Sequence, residues 1–107
     1  MSSIVSEEEN KMIKKMFKSD EESHFWVGGY RKVESGAEWA WCDSNEWGFS
    51  NWASNRNGSL DHLAMDGWSG YWYDHDRSEL LPSVCQHVAG KQKSYKYKKF
   101  YVCMLSL

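Results

Sequence analysis

Histidines beside acidic residues are the side chains of this sequence best suited to metal chemistry. His62 is one, and the run Asp74-His75-Asp76 sets a second imidazole between two carboxylates. Imidazole and carboxylate groups together suit Zn²⁺. Their spacing matches no metalloenzyme signature, and we therefore interpret His75 as a turn residue. No glycine-rich phosphate loop, serine-centred elbow or Cys-His pair accompanies them, so the sequence predicts that the protein is not an enzyme.

The cysteines and the N-terminal residues leave the cellular compartment open. Cys42, Cys85 and Cys103 lack metal-ligand spacing, and an odd number leaves at least one free thiol in a secreted protein. Residues 1–10 have neither a basic region nor an apolar one, so we expect no signal peptide in this chain. No run approaches the length of a membrane span, so we also expect no transmembrane helix.

The composition describes an aromatic, mostly acidic domain. The chain has seven Trp, six Tyr and four Phe, which suits a small domain whose core depends on large rings. Five of the 13 basic residues lie in residues 89–107, which contain no acid, so the rest carries 8 basic against 15 acidic residues and a net charge of −7. This charge argues against a general attraction to nucleic acid or to an anionic membrane.

The pattern along the chain predicts one helix followed by short strands. Ser6 and Glu9 form a capping box, and the stripe of Met12, Ile13, Met16 and Phe17 predicts an amphipathic helix over residues 7–18. Short apolar runs at 25–27, 63–65, 71–73 and 83–85 predict strands, and the alternation of Trp39, Trp41 and Asp43 predicts a half-buried strand. Residues 44–61 have no sustained period and predict a long, ordered loop. A helix followed by strands indicates the α+β class.

Six short segments between Phe25 and Cys85 follow one another in a distinctive order. They are Phe25-Trp26-Val27-Gly28-Gly29, Trp39-Ala40-Trp41-Cys42-Asp43, Asn51-Trp52, Leu63-Ala64-Met65, Gly70-Tyr71-Trp72-Tyr73-Asp74 and Pro82-Ser83-Val84-Cys85. Their order and gaps resemble the C-terminal two-thirds of the C-type lectin-like domain. The resemblance implies a C-type-lectin-like fold in which one N-terminal helix packs on a small antiparallel sheet with a long loop.

Parts of the family pattern have no counterpart in this sequence. The chain lacks the family's first strand and first helix, because it begins with the helix that resembles the family's second. Cys85 would pair with a cysteine of the missing helix, so here it is either free or bonded to Cys42 or Cys103. Leu63 and, approximately, Arg77 stand where the family has its inner disulfide.

The family's calcium site is only partly retained. Sugar-binding members hold Ca²⁺ with oxygen ligands from the long loop, from an acid near the fourth segment and from the fifth segment. The resemblance therefore implies a ligand-binding set of Asn55, Arg56, Asn57, Asp61, Tyr73 and Asp74. Asn57, Asp61 and Asp74 remain as weak calcium candidates, since Ca²⁺ takes about 6–8 oxygen ligands and Tyr73 replaces an asparagine.

Residues 89–107 extend past the end of the family domain and interleave lysines with aromatic residues. This pattern suits either an acidic surface or single-stranded nucleic acid, or else a solvated tail. We interpret it as a solvated tail and expect no nucleic-acid partner. The predicted organisation is a partial lectin-like domain over 1–88 and a basic, aromatic tail over 89–107.

Three functions are compatible with these features. The first is a lectin-type module that binds a glycan or glycoprotein through the long loop, with Trp52 or Trp72 nearby and with residual Ca²⁺. The second is a calcium-independent lectin-fold protein that binds a protein surface, since Arg56 and Tyr73 are typical interface residues. The third is a truncated product without independent function. The resemblance favours the first and implies an extracellular, secreted protein.

Overall fold

The computed structural model describes residues 1–16, 24–32, 38–54, 60–88 and 98–103, and within them the chain forms a helix packed on a sheet. Helix α1 spans Glu7–Met16. The strands are β1 (His24–Arg31), β2 (Trp39–Trp41), β3 (His62–Asp66), β4 (Trp72–His75), β5 (Ser83–Val88) and β6 (Lys98–Cys103). The order across the sheet is β4-β3-β1-β5-β6, and β2 pairs with β1. The predicted α+β class is confirmed.

The sheet is mixed, and the expectation of an antiparallel sheet is wrong for one pair of strands. β1 pairs antiparallel with β2 and β3, but it pairs parallel with β5, where Trp26 lies opposite Ser83. Residues 76–82 carry the chain back to the end of the sheet at which β1 begins, and Pro82 O there accepts a hydrogen bond from Trp26 N at 2.8 Å. β5 therefore starts beside the start of β1 and runs in the same direction.

The predicted capping box starts α1, with Val5 as a backbone partner of the Glu9 carboxylate. Ser6 Oγ accepts a hydrogen bond from Glu9 N at 3.1 Å, and the Glu9 carboxylate accepts one from Val5 N at 3.0 Å. These bonds satisfy backbone donors that the first helical turn cannot pair internally.

The buried face of α1 differs from the predicted stripe. Its buried residues are Glu9, Asn10 and Ile13, whereas Met12 and Met16 are exposed. Asn10 accounts for the difference, because its side chain accepts a hydrogen bond from Trp72 Nε1 at 2.8 Å and donates one to Gly70 O at 3.0 Å. The helix therefore turns a polar residue toward the sheet. Phe17 and Lys18 lie outside the described residues.

The sheet presents two different faces. The face toward α1 carries the main core, in which Phe25, Met65 and Trp72 are fully buried. The complete buried cluster is Ile4, Ile13, Phe25, Val27, Trp41, Leu63, Met65, Trp72 and Val84. Successive side chains of a strand alternate between faces. Trp26 and Tyr73 consequently lie on the opposite face, which we call the outer face.

The chain before α1 packs closely against β1 and β5. Ser2 N donates to Val84 O at 2.8 Å, and Gly28 N donates to Ser2 O at 2.7 Å. A Cβ atom at Gly28 would lie 2.7 Å from Cys42 Sγ and 3.0 Å from Ser2 O. Gly28 therefore allows the N-terminal backbone to approach closely, and Gly28 and Gly29 continue β1 without a turn.

A carboxylate holds this N-terminal segment in place. The Asp43 side chain accepts hydrogen bonds from Ser3 Oγ at 2.5 Å, Gln86 Nε2 at 2.7 Å and Asn45 Nδ2 at 2.9 Å. Burial alone would raise the pKa of Asp43, but the hydrogen bonds from Ser3, Asn45 and Gln86 outweigh it and leave the pKa below its ordinary 3.8.

We expect Asp43→Asn to lower the free energy of unfolding at neutral pH by about 1–3 kcal/mol, because hydrogen-bond donors of Ser3, Asn45 and Gln86 lose an ionised acceptor. A carboxyl whose folded-state pKa is depressed stabilises the fold fully above its unfolded value, here 3.8, and loses this contribution as pH falls through the lower folded-state value. Urea unfolding measured across this acid range should therefore be less pH-dependent in Asp43→Asn than in wild type. The exposed Glu46→Gln serves as control; equal acid sensitivity of Asp43→Asn and wild type would contradict the assignment.

Part of the sequence after residue 88 belongs to the sheet. β6 pairs antiparallel with β5 over six residue pairs, from Ser83 opposite Cys103 to Val88 opposite Lys98. A disulfide joins Cys85 to Cys103, and Cys42 is free and exposed. The interpretation as a solvated tail is therefore wrong for Lys98–Cys103, because pairing with β5 satisfies its backbone. The domain boundary at residue 88 stays a prediction.

Candidate functional site

Residues 44–54 form the described part of the long loop and are tied to β4. Trp72 N donates to Asn51 O at 2.9 Å, and Ala53 N donates to Trp72 O at 3.0 Å. These two bonds place Trp52 against Trp72, whose ring centroid lies 6.1 Å away. Residues 44–54 are irregular but ordered, as the sequence predicts for the loop, because buried aromatic rings and backbone bonds hold them.

The tryptophans divide into core and partly accessible residues. Trp41 and Trp72 are buried, with exposed fractions of 2% and 0%. Trp39, Trp47 and Trp52 are only half-buried, and we call these three residues the aromatic wall. Trp39 lies 5.0 Å from Trp52 and 6.2 Å from Trp47, measured between ring centroids. Of the two tryptophans predicted near a ligand, Trp72 is too deeply buried to contact one, whereas Trp52 is accessible.

A cation extends the aromatic wall toward the end of the loop. The Arg31 guanidinium carbon lies 5.2 Å from the centre of the Trp39 ring, a cation–π distance. Arg31 Nε donates to Leu60 O at 3.3 Å, and Arg31 N donates to Asp61 O at 2.8 Å. Arg31 therefore links the aromatic wall to the residues at which the long loop enters β3.

Asp74 contacts the backbone next to Asp61 at this point. Asp74 is buried, and its Oδ2 accepts a hydrogen bond from Leu60 N at 2.9 Å. Asp61 is the next residue after Leu60, and its side chain is exposed. This bond places the side chain of Asp74 against the backbone next to Asp61, and these are two of the three predicted calcium candidates. The Asp74 carboxylate already accepts a hydrogen bond from the backbone.

Tyr73 lies apart from these two aspartates. Tyr73 is on the outer face, where its ring stacks on His24 at 5.0 Å, whereas Asp74 is on the face toward the loop. Adjacent residues of a strand point in opposite directions, so Tyr73 and Asp74 do not line one pocket. The remaining predicted site residues, Asn55, Arg56 and Asn57, lie outside the described residues.

Aspartates and histidines of the described residues form no metal cluster of three or more side chains. Within the described ranges, no group of three or more His, Cys, Asp or Glu side chains is placed to hold a metal ion. The interpretation of His75 as a turn residue is wrong, since it ends β4 on the outer face, away from the Asp74 side chain. Burial, followed by the nearby Arg77 cation, lowers the pKa of His62.

Arg31 and Trp39 are the site residues that sequence reasoning did not select. Arg31 and Trp39 pair across β1 and β2, and this register places the guanidinium over the indole. The two residues are separated by a segment of no clear pattern, so their pairing could not be read from spacing. Only the assignment of Trp39 to a half-buried strand offered a signal.

The sequence and the fold match known proteins. Residues 1–87 match the family model described as the Lectin C-type domain. The C-type lectin CEL-I from Cucumaria echinata has 21% identity and a TM-score of 0.62, over 73% of this chain and 60% of that one. The carbohydrate-recognition domain of mouse scavenger receptor C-type lectin has 27% identity and a TM-score of 0.62, over 74% and 61%. The human counterpart has 23% identity and a TM-score of 0.59, over 74% and 64%.

The chain spans less than two thirds of the length of each of these three structures. A search of curated protein sequences found no match. Across the described parts of the chain, no helix combines the length and the apolar character needed to cross a membrane.

Proposed function

Since the chain belongs to the C-type lectin family, we propose that it is a binding module that recognises carbohydrate through the aromatic wall and the adjoining end of the long loop. Sugars present apolar ring faces beside hydroxyl groups. The aromatic wall offers half-buried indole faces for the former, and the neighbouring Arg31 and Asp61 offer a donor and an acceptor for the latter.

The observation that carries this proposal is the contact of Arg31 with Trp39 and with the Leu60 and Asp61 backbone. It joins an accessible aromatic surface to polar groups where β1 ends and β3 begins. Concave or rimmed aromatic surfaces with a few oriented polar groups are typical of small-ligand sites. Asn55, Arg56 and Asn57 complete the proposed site from the loop, and Tyr73 is proposed to contribute from the outer face to a larger ligand.

For calcium we propose weak binding at Asp61 and Asp74 with help from Asn57. Two carboxylates supply few of the oxygen ligands that Ca²⁺ takes. The bond from Leu60 N to Asp74 supports a weak site, because an ion would have to share that carboxylate with the backbone. Calorimetric titration should show only millimolar association, and Asp61→Asn should abolish it. A micromolar site, or one unchanged by Asp61→Asn, would contradict this proposal.

The carbohydrate proposal predicts that Trp52→Leu weakens retention on immobilised mannose or galactose at least tenfold, which corresponds to a loss of about 1.4 kcal/mol of binding free energy. Trp68→Leu is the matched control, because Trp68 is exposed in the turn at the opposite end of β3 from Leu60 and Asp61. Near-ultraviolet circular dichroism should show that both variants fold. If wild type is not retained on either sugar, or if Trp68→Leu loses retention equally, the proposed sugar site is wrong.

A second candidate function is recognition of a protein surface without calcium. The observation that favours it is the pairing of a cation with exposed aromatic area, since Arg and Trp are common anchors of protein interfaces. Retention on glycoprotein that survives both a chelator and enzymatic deglycosylation would favour this function over sugar binding. We propose no catalytic role, and we propose an extracellular location, which the Cys85–Cys103 disulfide supports.

A further inference from the structure

Two imidazoles from strands that are not neighbours meet on the outer face of the sheet. His24 begins β1, His75 ends β4, and β3 lies between these strands. His24 Nδ1 lies 2.7 Å from His75 Nε2, and the two rings meet edge to face at an interplanar angle of 82°. The residues are 51 positions apart in the sequence, so only the folded sheet creates this contact.

Glu79 orients one of the two rings. His75 Nδ1 is hydrogen-bonded to the Glu79 carboxylate. A neutral imidazole that donates from Nδ1 carries its lone pair on Nε2, which is the nitrogen that faces His24. A carboxylate behind an imidazole whose other nitrogen is left as a ligand is the usual arrangement around metal-binding histidines.

We propose that His24 Nδ1 and His75 Nε2 form a binding site for a divalent transition metal ion, with Zn²⁺ and Cu²⁺ as ions of suitable chemistry. In the metal-free protein one hydrogen-bonding proton lies between the two nitrogen atoms. The ion takes the place of this proton, which moves to the other nitrogen of the His24 ring, and it accepts one lone pair from each neutral ring. Two imidazoles make an open site, and water fills the remaining coordination positions.

The metal requires only a small rearrangement. Tetrahedral coordination with Zn–N bonds of about 2.0–2.1 Å places two ligating nitrogens about 3.3 Å apart, against the 2.7 Å between them here. Side-chain rotation can supply this difference while β1, β3 and β4 stay paired. Neighbouring rings limit the rotation, because Tyr73 stacks on His24 at 5.0 Å and Trp26 meets His75 edge-on at 5.8 Å.

This site is chemically and spatially separate from the proposed calcium ligands. Imidazole nitrogen favours transition metals, whereas Ca²⁺ takes oxygen ligands. Asp74 lies on the opposite face of β4 from His75. Each ion should therefore bind without competition from the other.

Titration of the full chain with ZnCl₂ in a calorimeter tests the proposal. We expect one Zn²⁺ per chain and a rise in Tm. His24→Gln and His75→Gln should each abolish this binding. Glu79→Gln should keep the two ligands but weaken affinity about 10–100-fold, since the orienting carboxylate is lost. Cu²⁺ should bind more tightly than Zn²⁺.

Two matched variants test whether His87 or Cys42 binds the metal instead. His87 is exposed on β5, and Cys42 carries the free thiol, so His87→Gln and Cys42→Ser should both bind Zn²⁺ as wild type does. Absence of Zn²⁺ binding by wild type, or equal binding by the His24→Gln/His75→Gln double variant, would overturn the site. Sugar retention and Ca²⁺ titration measured on the same variants fail or succeed independently, which separates this inference from the proposed function.

Discussion

We expect Trp72→Ala to lower the free energy of unfolding by about 3–5 kcal/mol, the usual cost of truncating a buried aromatic residue. Trp72 is 0% exposed, and its ring centroid lies between 5.5 and 6.1 Å from those of Trp41, Trp47, Phe49 and Trp52. Truncation would leave these rings around a cavity. Because small domains are stabilised by only about 5–15 kcal/mol, much of the fold's stability would be lost.

The indole nitrogen of Trp72 adds a second contribution. Its Nε1–H donates to Asn10 Oδ1 at 2.8 Å and so fixes α1 against β4. Trp72→Phe retains a ring but leaves Asn10 Oδ1 without this donor, and we expect a loss of about 1–3 kcal/mol. A double-mutant cycle with Asn10→Ala isolates the hydrogen bond from the packing.

Urea unfolding followed by circular dichroism measures both effects. Trp68→Ala is the control, since its side chain is 61% exposed and its loss should change stability by less than about 0.5 kcal/mol. If Trp68→Ala and Trp72→Ala were equally destabilising, the loop would not depend on Trp72 as described. A cooperative unfolding transition of the wild-type protein would also argue against the hypothesis of a truncated product that does not fold by itself.

Local features of the fold were predictable from sequence because local physics creates them. The start of α1 follows from Ser6 and Glu9, whose side chains pair with nearby backbone groups. The strands around residues 25–27, 39–41, 63–65, 72–73 and 83–85 follow from short apolar runs between turn-forming residues. The order of these segments also identified the family, which the match over residues 1–87 confirms.

Features that depend on long-range pairing were not predictable in this way. The parallel pairing of β1 with β5 depends on the path of residues 76–82, which no local pattern encodes. The lysines and aromatic residues of β6 are compatible with a strand and with a solvated segment. The pairing of β6 with β5 distinguishes these two structures. The polar Asn10 on the buried face of α1 similarly depends on Trp72, which lies 62 positions later.

The candidate site was predicted in part. The contact of Asp74 with the backbone next to Asp61 agrees with the lectin-like order of the segments, whereas the binding roles of these residues stay predictions. The separation of Tyr73 from Asp74 could have been foreseen, because adjacent strand residues point to opposite faces. The Arg31–Trp39 and His24–His75 contacts could not, because they depend on strand register and on the twist of the sheet.

We expect loss of the Cys85–Cys103 disulfide to lower the free energy of unfolding by about 3 kcal/mol, the loop-closure value for cysteines separated by 18 residues. Besides the intervening chain, this disulfide links β5 covalently to the edge strand β6. In its absence β6 is held by its ladder to β5. An edge strand paired on one side opens more readily than central strands such as β1.

The Cys85→Ser/Cys103→Ser variant and wild type treated with a reductant should therefore show the same reduced unfolding midpoint. Hydrogen exchange should rise mainly in β6 and along β5, while β1 and β3 stay protected. Cys42→Ser retains the disulfide and should melt as wild type does, with the same sensitivity to reductant. If reduction left stability unchanged while β6 stayed protected, backbone pairing alone would hold this edge. If β1 and β3 exchanged as fast as β6, then β6 would instead be part of the cooperative core.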